Sequence, residues 1–255
     1  MSRVFAISNQ KGGVGKTTTA VNLAASMAVA EQRVLLVDLD PQGNASSGVG
    51  ITDRESARSI YPVLFGEATI ADVKQSTELA SLEIVPSARD LAGVEVEFAS
   101  VEDRATRLRD ALAVVRDAYD FIFIDCPPSL GVLTINALVA ADVVLVPMQA
   151  EYYALEGLSD LAGTIERVRA TLNPALQIDG VLLTMFDPRN NLSSQVADEV
   201  RKHFRVFETV IPRNVRLAEA PSYGRPVILY DAGSRGSQGY LSLAREILEH
   251  SAMPS

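Results

Sequence analysis

A glycine-rich run near the N-terminus constrains this chain more than any other stretch. Gln10-Lys11-Gly12-Gly13-Val14-Gly15-Lys16-Thr17-Thr18 follows the apolar run Val4-Phe5-Ala6-Ile7 and precedes a helical pattern. Glycines at 12, 13 and 15 permit backbone conformations that other residues resist. Successive N–H groups can then turn inward as a concave anion nest. The following helix points the positive end of its dipole at the same place. Lys16 adds a point charge, and the Thr17 hydroxyl is placed to ligate magnesium. This reads as a phosphate-binding loop. The general pattern, G-x-x-x-x-G-K-[ST], puts its first glycine at position 10, where this chain has Gln10. A second lysine, Lys11, stands where the general pattern is indifferent.

The segments around the loop predict an α/β fold. Residues 3–8 read as a buried strand, 16–31 as a helix, and Arg33–Asp38 as a second apolar strand ending in acid. Strand, phosphate loop, helix and parallel strand make one βαβ unit. Further strands are predicted at 82–86, 121–125, 142–147, 178–185 and 206–211. Helices are predicted at 59–65, 90–98, 104–119, 152–172, 192–203 and 237–250. Near-continuous apolar strands alternating with helices suit a doubly wound, mainly parallel sheet with helices on both faces. No linker, repeat or low-complexity tract divides the 255 residues, which are read as a single domain, 1–255.

Two acidic segments fall at strand ends. Asp38-Leu39-Asp40-Pro41-Gln42-Gly43-Asn44 lies at the carboxyl end of the second strand, the sheet edge where ligands bind. A plain capping turn with solvated acids is the competing reading. Asp125 ends the apolar run Phe121-Ile122-Phe123-Ile124 and precedes Cys126-Pro127-Pro128-Ser129. Beside a phosphate loop, such an acid orders a magnesium ion or its water; alone, it caps a turn.

Net charge and cysteine count exclude several classes. The formal charge of -9 means that any nucleic-acid contact must come from a local basic patch. Such a run exists: Arg201, Lys202, Arg205, Arg213 and Arg216 face a single acid, Glu208, between 201 and 216, and Arg189 lies just upstream. One cysteine, Cys126, excludes an internal disulfide and fits a reducing compartment. The apolar stretch Ala137–Met148 is interrupted by Asp142 and is too short to span a bilayer. With no signal peptide evident, a cytoplasmic location is expected.

Lys11–Thr19 together with Asp38–Asn44 resembles the deviant Walker A ATPases of the MinD/ParA superfamily. Ile124–Gly131, Glu151–Gly157 and Pro212–Leu217 narrow the likeness to the partitioning proteins of the ParA/Soj type. The resemblance implies ATP and magnesium as cofactors, with Gln10 through Thr18 around the phosphates and Pro212, Arg213 and Asn214 near the adenine. Lys11 would be the signature lysine that reaches a partner chain's ATP in a sandwich dimer. Lys16 and Asp40 would complete the catalytic set, with Asp40 orienting the attacking water. Thr17, Asp38 and Asp125 would serve the metal. Arg189, Lys202, Arg205 and Arg216 would contact nonspecific double-stranded DNA.

A ParB/Spo0J-type adaptor would stimulate hydrolysis, on the nucleoid rather than a membrane. A nucleoid ATPase carrying another cargo is the nearest alternative. A MinD-like membrane ATPase needs a basic amphipathic C-terminal helix, and Leu243–Ser251 is not basic. An iron–sulfur carrier needs paired cysteines, which a lone Cys126 does not supply.

Overall fold

The computed structural model describes residues 2–53, 55–152 and 154–252. Its strands are β1 (Arg3–Ile7), β2 (Val34–Asp38), β3 (Gln75–Ser76), β4 (Leu82–Val85), β5 (Phe121–Asp125), β6 (Val143–Gln149), β7 (Gln177–Phe186) and β8 (Ile211–Pro212). They form one sheet in the order β3-β4-β2-β5-β1-β6-β7-β8. Every pairing is parallel except that of β3 with β4. The chain leaves β1 toward β2 on one side and later fills the other side with β6, β7 and β8. The reversal of strand order beside β1 opens a crevice at the carboxyl edge, where doubly wound sheets bind ligands.

The longer helices are α1 (Lys16–Val29), α6 (Arg107–Val115), α7 (Val132–Ala140), α8 (Ala154–Thr171), α9 (Asn191–Arg201) and α12 (Arg235–Ala252). Shorter ones are α2 (Asn44–Gly48), α3 (Ile60–Phe65), α4 (Ile70–Val73), α5 (Val94–Glu97), α10 (Val215–Glu219) and α11 (Val227–Tyr230). Among the described residues, no helix is long and apolar enough to cross a membrane.

Strand alternation explains why helices cover both faces. Successive side chains of a strand point to opposite sides. Val4 and Ala6, Leu35 and Val37, and Ile122 and Ile124 enter one core with α6, α7, α8 and α9. Phe5 and Ile7, Val34 and Leu36, and Phe121 and Phe123 enter the other with α1 and α12. There the rings of Phe5 and Phe123 lie 5.3 Å apart, and Phe121 stacks on Phe123.

The fold class is the expected one; several boundaries differ for local reasons. The helix expected over 104–119 runs from Arg107 to Val115 and tightens into a 3-10 turn at 116–118. The helix expected over 90–98 is three short pieces, 89–93, 94–97 and 98–100. The α8 helix begins at Ala154; Tyr153, included in that expected helix, lies outside the described residues.

The strand expected over 206–211 is a correction. Val206 forms only an isolated bridge to Val181. The N–H groups of Glu208 and Thr209 then donate to the Glu246 carboxylate, at 2.8 and 3.0 Å, so the ladder is interrupted until Ile211. Helix α7 was not foreseen. It is apolar nearly all round, with seven of its residues buried, so it shows no amphipathic period.

Phe123 is fully buried between α1 and the central strands. Phe123→Ala is expected to cost about 3–5 kcal/mol, read as a lower urea midpoint at unchanged m-value. A loss under about 1 kcal/mol would show that this face repacks freely.

Candidate functional site: a phosphate loop at the carboxyl edge

The loop between β1 and α1 has the backbone that its glycines allow. Gly13 and Gly15 adopt φ of 75° and 89°, a region that side chains disfavour. Gly15 is the N-cap of α1, and no side chain caps that terminus. Its first-turn N–H groups therefore lack a side-chain acceptor, as an anion site requires.

Two side chains that sequence reasoning missed pin the loop to the sheet. Asn9 donates from Nδ2 to the Pro147 carbonyl at 2.8 Å and accepts from the Lys11 N–H at 3.0 Å. Thr184 donates from Oγ1 to the Val14 carbonyl at 2.8 Å. The loop is thus fastened to β6 and β7, on the far side of the crevice from β5. Nothing in the sequence marked Asn9 or Thr184, because both act through backbone atoms of distant residues.

Lys16 is buried, and its Nζ donates to the Lys11 carbonyl at 3.0 Å. Burial lowers its pKa, and Asp125, Cys126 and Asp40 oppose that shift. Asp125 sits beside Ile7 on one side and Asp38 on the other, in register across three strands. Both acids are fully buried.

The two carboxylates are treated differently. Asp38 accepts from the Ser46 N–H and hydroxyl, at 2.8 and 2.7 Å, and from the Asp40 N–H at 3.2 Å. Burial pushes it up to about 6 despite the Ser46 bonds. Asp125 is pushed well above the carboxylate range by burial and by the Asp38 charge. Among the described residues, no donor meets hydrogen-bond geometry with either Asp125 oxygen, although the Thr17 hydroxyl is close enough to oppose the shift. A buried carboxylate without donors, beside a second acid and a hydroxyl, has the chemistry of a hard-cation site. The residues present fit a magnesium ion held by Thr17 and Asp125. Asp38 already has both oxygens engaged by its own turn.

Asp40 is buried at the same edge, and its Oδ1 accepts from the Gln42 N–H at 3.0 Å. Lys11 lies at the rim. Its Nζ pairs with Glu151 at 2.5 Å, with the side chains 39% and 53% exposed. Gln10, at the position of the missing glycine, has a buried Nε2 with no hydrogen-bond partner among the described residues.

A cavity of 210 Å³ adjoins the loop, between Gly15 and Thr18 on one wall and Pro212, Arg213 and Asn214 on the other. Leu217, at the end of the Pro212–Leu217 segment, and Tyr240, which carries no sequence signal, also line it. The expected adenine-side residues therefore share one cavity with the phosphate loop. Asn214 also caps α10, its Oδ1 accepting from the Arg216 N–H at 2.9 Å.

The four expected DNA contacts do not form one patch. Arg189 follows β7 and Arg216 follows β8, so both stand at the carboxyl edge with the loop. Lys202 follows the C-terminus of α9, and Arg205 bonds the carbonyl of Asp179 near the start of β7. The ten residues of β7 set its two ends roughly 30 Å apart. Lys202 and Arg205 are close in sequence to Arg216 but belong to the opposite edge. Arg235, at the start of α12, was not counted; with Arg189 it acts on Asp187, which is lowered to about 2, chiefly by the Arg189 bonds. Each expected contact is ion-paired: Arg189 with Asp187, Lys202 with Glu199, Arg205 with Asp179, and Arg216 with Glu219 and Asp231.

Comparison with known proteins fixes the family. Residues 2–178 match a family described as an AAA domain. The chain is 56% identical over 250 residues to the chromosome partitioning protein ParA of Caulobacter vibrioides, covering 96% of this chain and 94% of the relative. It is 55% identical over 249 residues to the sporulation initiation inhibitor protein Soj of Bacillus subtilis, covering 97% and 98%. The chain belongs to the ParA/Soj family of partitioning ATPases.

Among solved structures, this ParA/Soj chain resembles a Mycobacterium smegmatis protein named cobyrinic acid a,c-diamide synthase, with bound ATP analog and magnesium. The TM-score is 0.87 at 36% identity, over 99% of this chain and 96% of that one. That name belongs to a more distant relative than the two partitioning proteins.

The Lys11–Glu151 pair is exposed on both sides, so its contribution to stability is small. Glu151→Gln is expected to change stability by less than about 1 kcal/mol, a shift of a few degrees at most in a thermal melt. A larger drop would mean that the pair holds the loop in place.

Proposed function

We propose that this chain hydrolyses ATP as a sandwich dimer that binds DNA nonspecifically and is released when a ParB/Spo0J-type adaptor stimulates turnover. The observation that carries this reading is the grouping of Lys16, Asp40 and Asp125 around the uncapped end of α1, with Lys11 at the open rim. The family membership supports the partitioning role.

In this mechanism the loop N–H groups and Lys16 hold the phosphates. Thr17 and Asp125 would hold magnesium, which when bound would supply positive charge to the phosphate oxygens. Pro212, Arg213 and Asn214 enclose the base in the adjoining cavity. Asp40 orients the attacking water. Lys11 leaves Glu151 and reaches the partner chain's phosphates, where it stabilises charge as an arginine finger does. Dimerisation then depends on nucleotide, because the charge that Lys11 meets is supplied by ATP. Arg189 and Arg216 contact phosphate oxygens of double-stranded DNA without reading sequence. Lys202 and Arg205 face another part of the surface and make at most separate contacts.

The packing of α12 disfavours the membrane alternative. Its Tyr240, Leu243, Ala244 and Ile247 are buried in the core, so its apolar face is already used. A nucleoid ATPase with a cargo other than DNA shares all of this chemistry, and the adaptor's identity separates the two.

Lys16→Ala is expected to abolish ATP binding in equilibrium dialysis. Asp40→Ala is expected to retain ATP, accumulate as dimer in light scattering, and hydrolyse at least about 100-fold more slowly. A monomeric Asp40→Ala variant in saturating ATP would remove Asp40 from its role.

Arg216→Glu is expected to keep the ATP-dependent dimer and lose DNA in co-sedimentation across a salt series. The wild-type dimer should show a steep salt slope, each phosphate contact contributing about 0.9 to it. DNA retention that ignores nucleotide would refute the partition cycle itself.

A further inference from the structure

Asp40 is held by a closed ring of hydrogen bonds that reaches across two strands. Its N–H donates to Asp38 Oδ1 at 3.2 Å. Its carbonyl accepts from the Ser87 hydroxyl at 2.5 Å, and from the Gly43 N–H at 2.8 Å. The Ser87 N–H donates to Ser46 Oγ at 3.0 Å. The Ser46 hydroxyl donates to Asp38 Oδ2 at 2.7 Å and closes the ring. All four residues are buried.

Ser87 comes from another part of the fold, 47 residues beyond Asp40. It follows β4, whose Val85 pairs in register with Val37 of β2. The ladder between these strands therefore delivers Ser87 to the turn that carries Asp40. Ser87 is not among the described residues that line the nucleotide cavity, and it meets Asp40 through the backbone carbonyl rather than the carboxylate.

We infer that Ser87 is a positioning residue for Asp40, fixing the carbonyl of the water-orienting residue from the neighbouring strand. This rests on the reading of Asp40 given above. The physical argument is one of direction. A carboxylate carried one methylene from a free loop backbone samples many orientations. A backbone fixed at both its N–H and its carbonyl leaves only side-chain torsions free. Small misplacement of a group that positions water has a large effect, up to about 100-fold for 1 Å. Ser46 supports Ser87 but also binds Asp38, beside the proposed metal site, so Ser87 is the cleaner probe.

Removing the hydroxyl does not strip the Asp40 carbonyl, because the Gly43 N–H still donates to it. Ser87→Ala should therefore fold and bind ATP. The test is single-turnover ATP hydrolysis by the full chain, with ATP affinity and dimer formation measured on the same protein. Ser87→Ala is expected to hydrolyse about 10–100-fold more slowly at unchanged ATP affinity and intact dimerisation. Ser87→Cys, with a weaker donor, is expected to fall between serine and alanine. In an Asp40→Ala background, Ser87→Ala should cause no further loss.

Equal rates for serine, cysteine and alanine would overturn the inference. So would a parallel loss of ATP affinity, or a full further loss on top of Asp40→Ala. If Asp40→Ala itself hydrolyses at the wild-type rate, the role of Asp40 fails and this inference fails with it. If only the Ser87 variants are normal, the inference fails alone.

Discussion

Two carboxylates buried side by side govern this molecule. Asp38 and Asp125 end adjacent parallel strands in register, and neither reaches solvent. Burying one such charge is costly, and two together repel. The fold compensates only one of them. Asp38 is served by Ser46 and by the Asp40 backbone, whereas Asp125 has Thr17 and Lys16 nearby but, among the described residues, no donor in bonding geometry. The unsatisfied group lies near Lys16 and Thr17, in the first turn of α1, whose N-terminus no side chain caps. An incoming cation and its phosphates would meet both needs at once. Ligand binding and stability are therefore linked: a ligand at 100 times its Kd stabilises the folded chain by about 2.7 kcal/mol.

The two edges of the sheet have divided roles. At the amino edge, Arg3 pairs with Asp179, Arg33 with Asp120 and Arg116 with Asp142. These pairs sit where the strands begin and tie neighbouring segments together. At the carboxyl edge, the loops carry Lys11, Asp40, Arg189, Arg213 and Arg216, and the cavity opens among them. Parallel strands make this segregation automatic, because every strand delivers its following loop to one side. It also explains why basic residues adjacent in sequence separate in space. The chain crosses from one edge to the other between Arg189 and Lys202, and returns before Arg213.

Legibility in the sequence followed locality. The phosphate loop, the strand-end acids and most helices were readable, because each depends on residues within about one turn or one strand. Helix α7 was not, since an all-apolar helix has no period to detect. The strand over 206–211 was misread because Glu246, from α12, draws the N–H groups of Glu208 and Thr209 away from β7. The basic run between 201 and 216 is divided in space, because Lys202 and Arg205 lie toward the start of β7 whereas Arg213 and Arg216 follow β8. Asn9, Ser46, Ser87, Thr184 and Tyr240 carried no signal at all. Each matters through a partner tens to hundreds of residues away, and only the register of the sheet brings the partners together.

Magnitudes indicate which contact at the rim gives way. Lys11 and Glu151 form an exposed ion pair, worth at most about 1 kcal/mol. A triphosphate at the loop offers Lys11 a denser charge, shielded from solvent once a second chain covers it. Charge-assisted bonds to phosphate in such a setting are stronger than an exposed lysine–glutamate pair. In the proposed cycle the pair would therefore favour the monomer only slightly and would not oppose the transfer of Lys11. Asp40 lies deeper, in a ring of hydrogen bonds whose four residues are all buried. The geometry separates a weakly held lysine at the rim, which the proposed cycle assigns to the partner chain's phosphates, from a rigidly held aspartate, which it assigns to the attacking water. That separation suits a site assembled by dimerisation and emptied by hydrolysis.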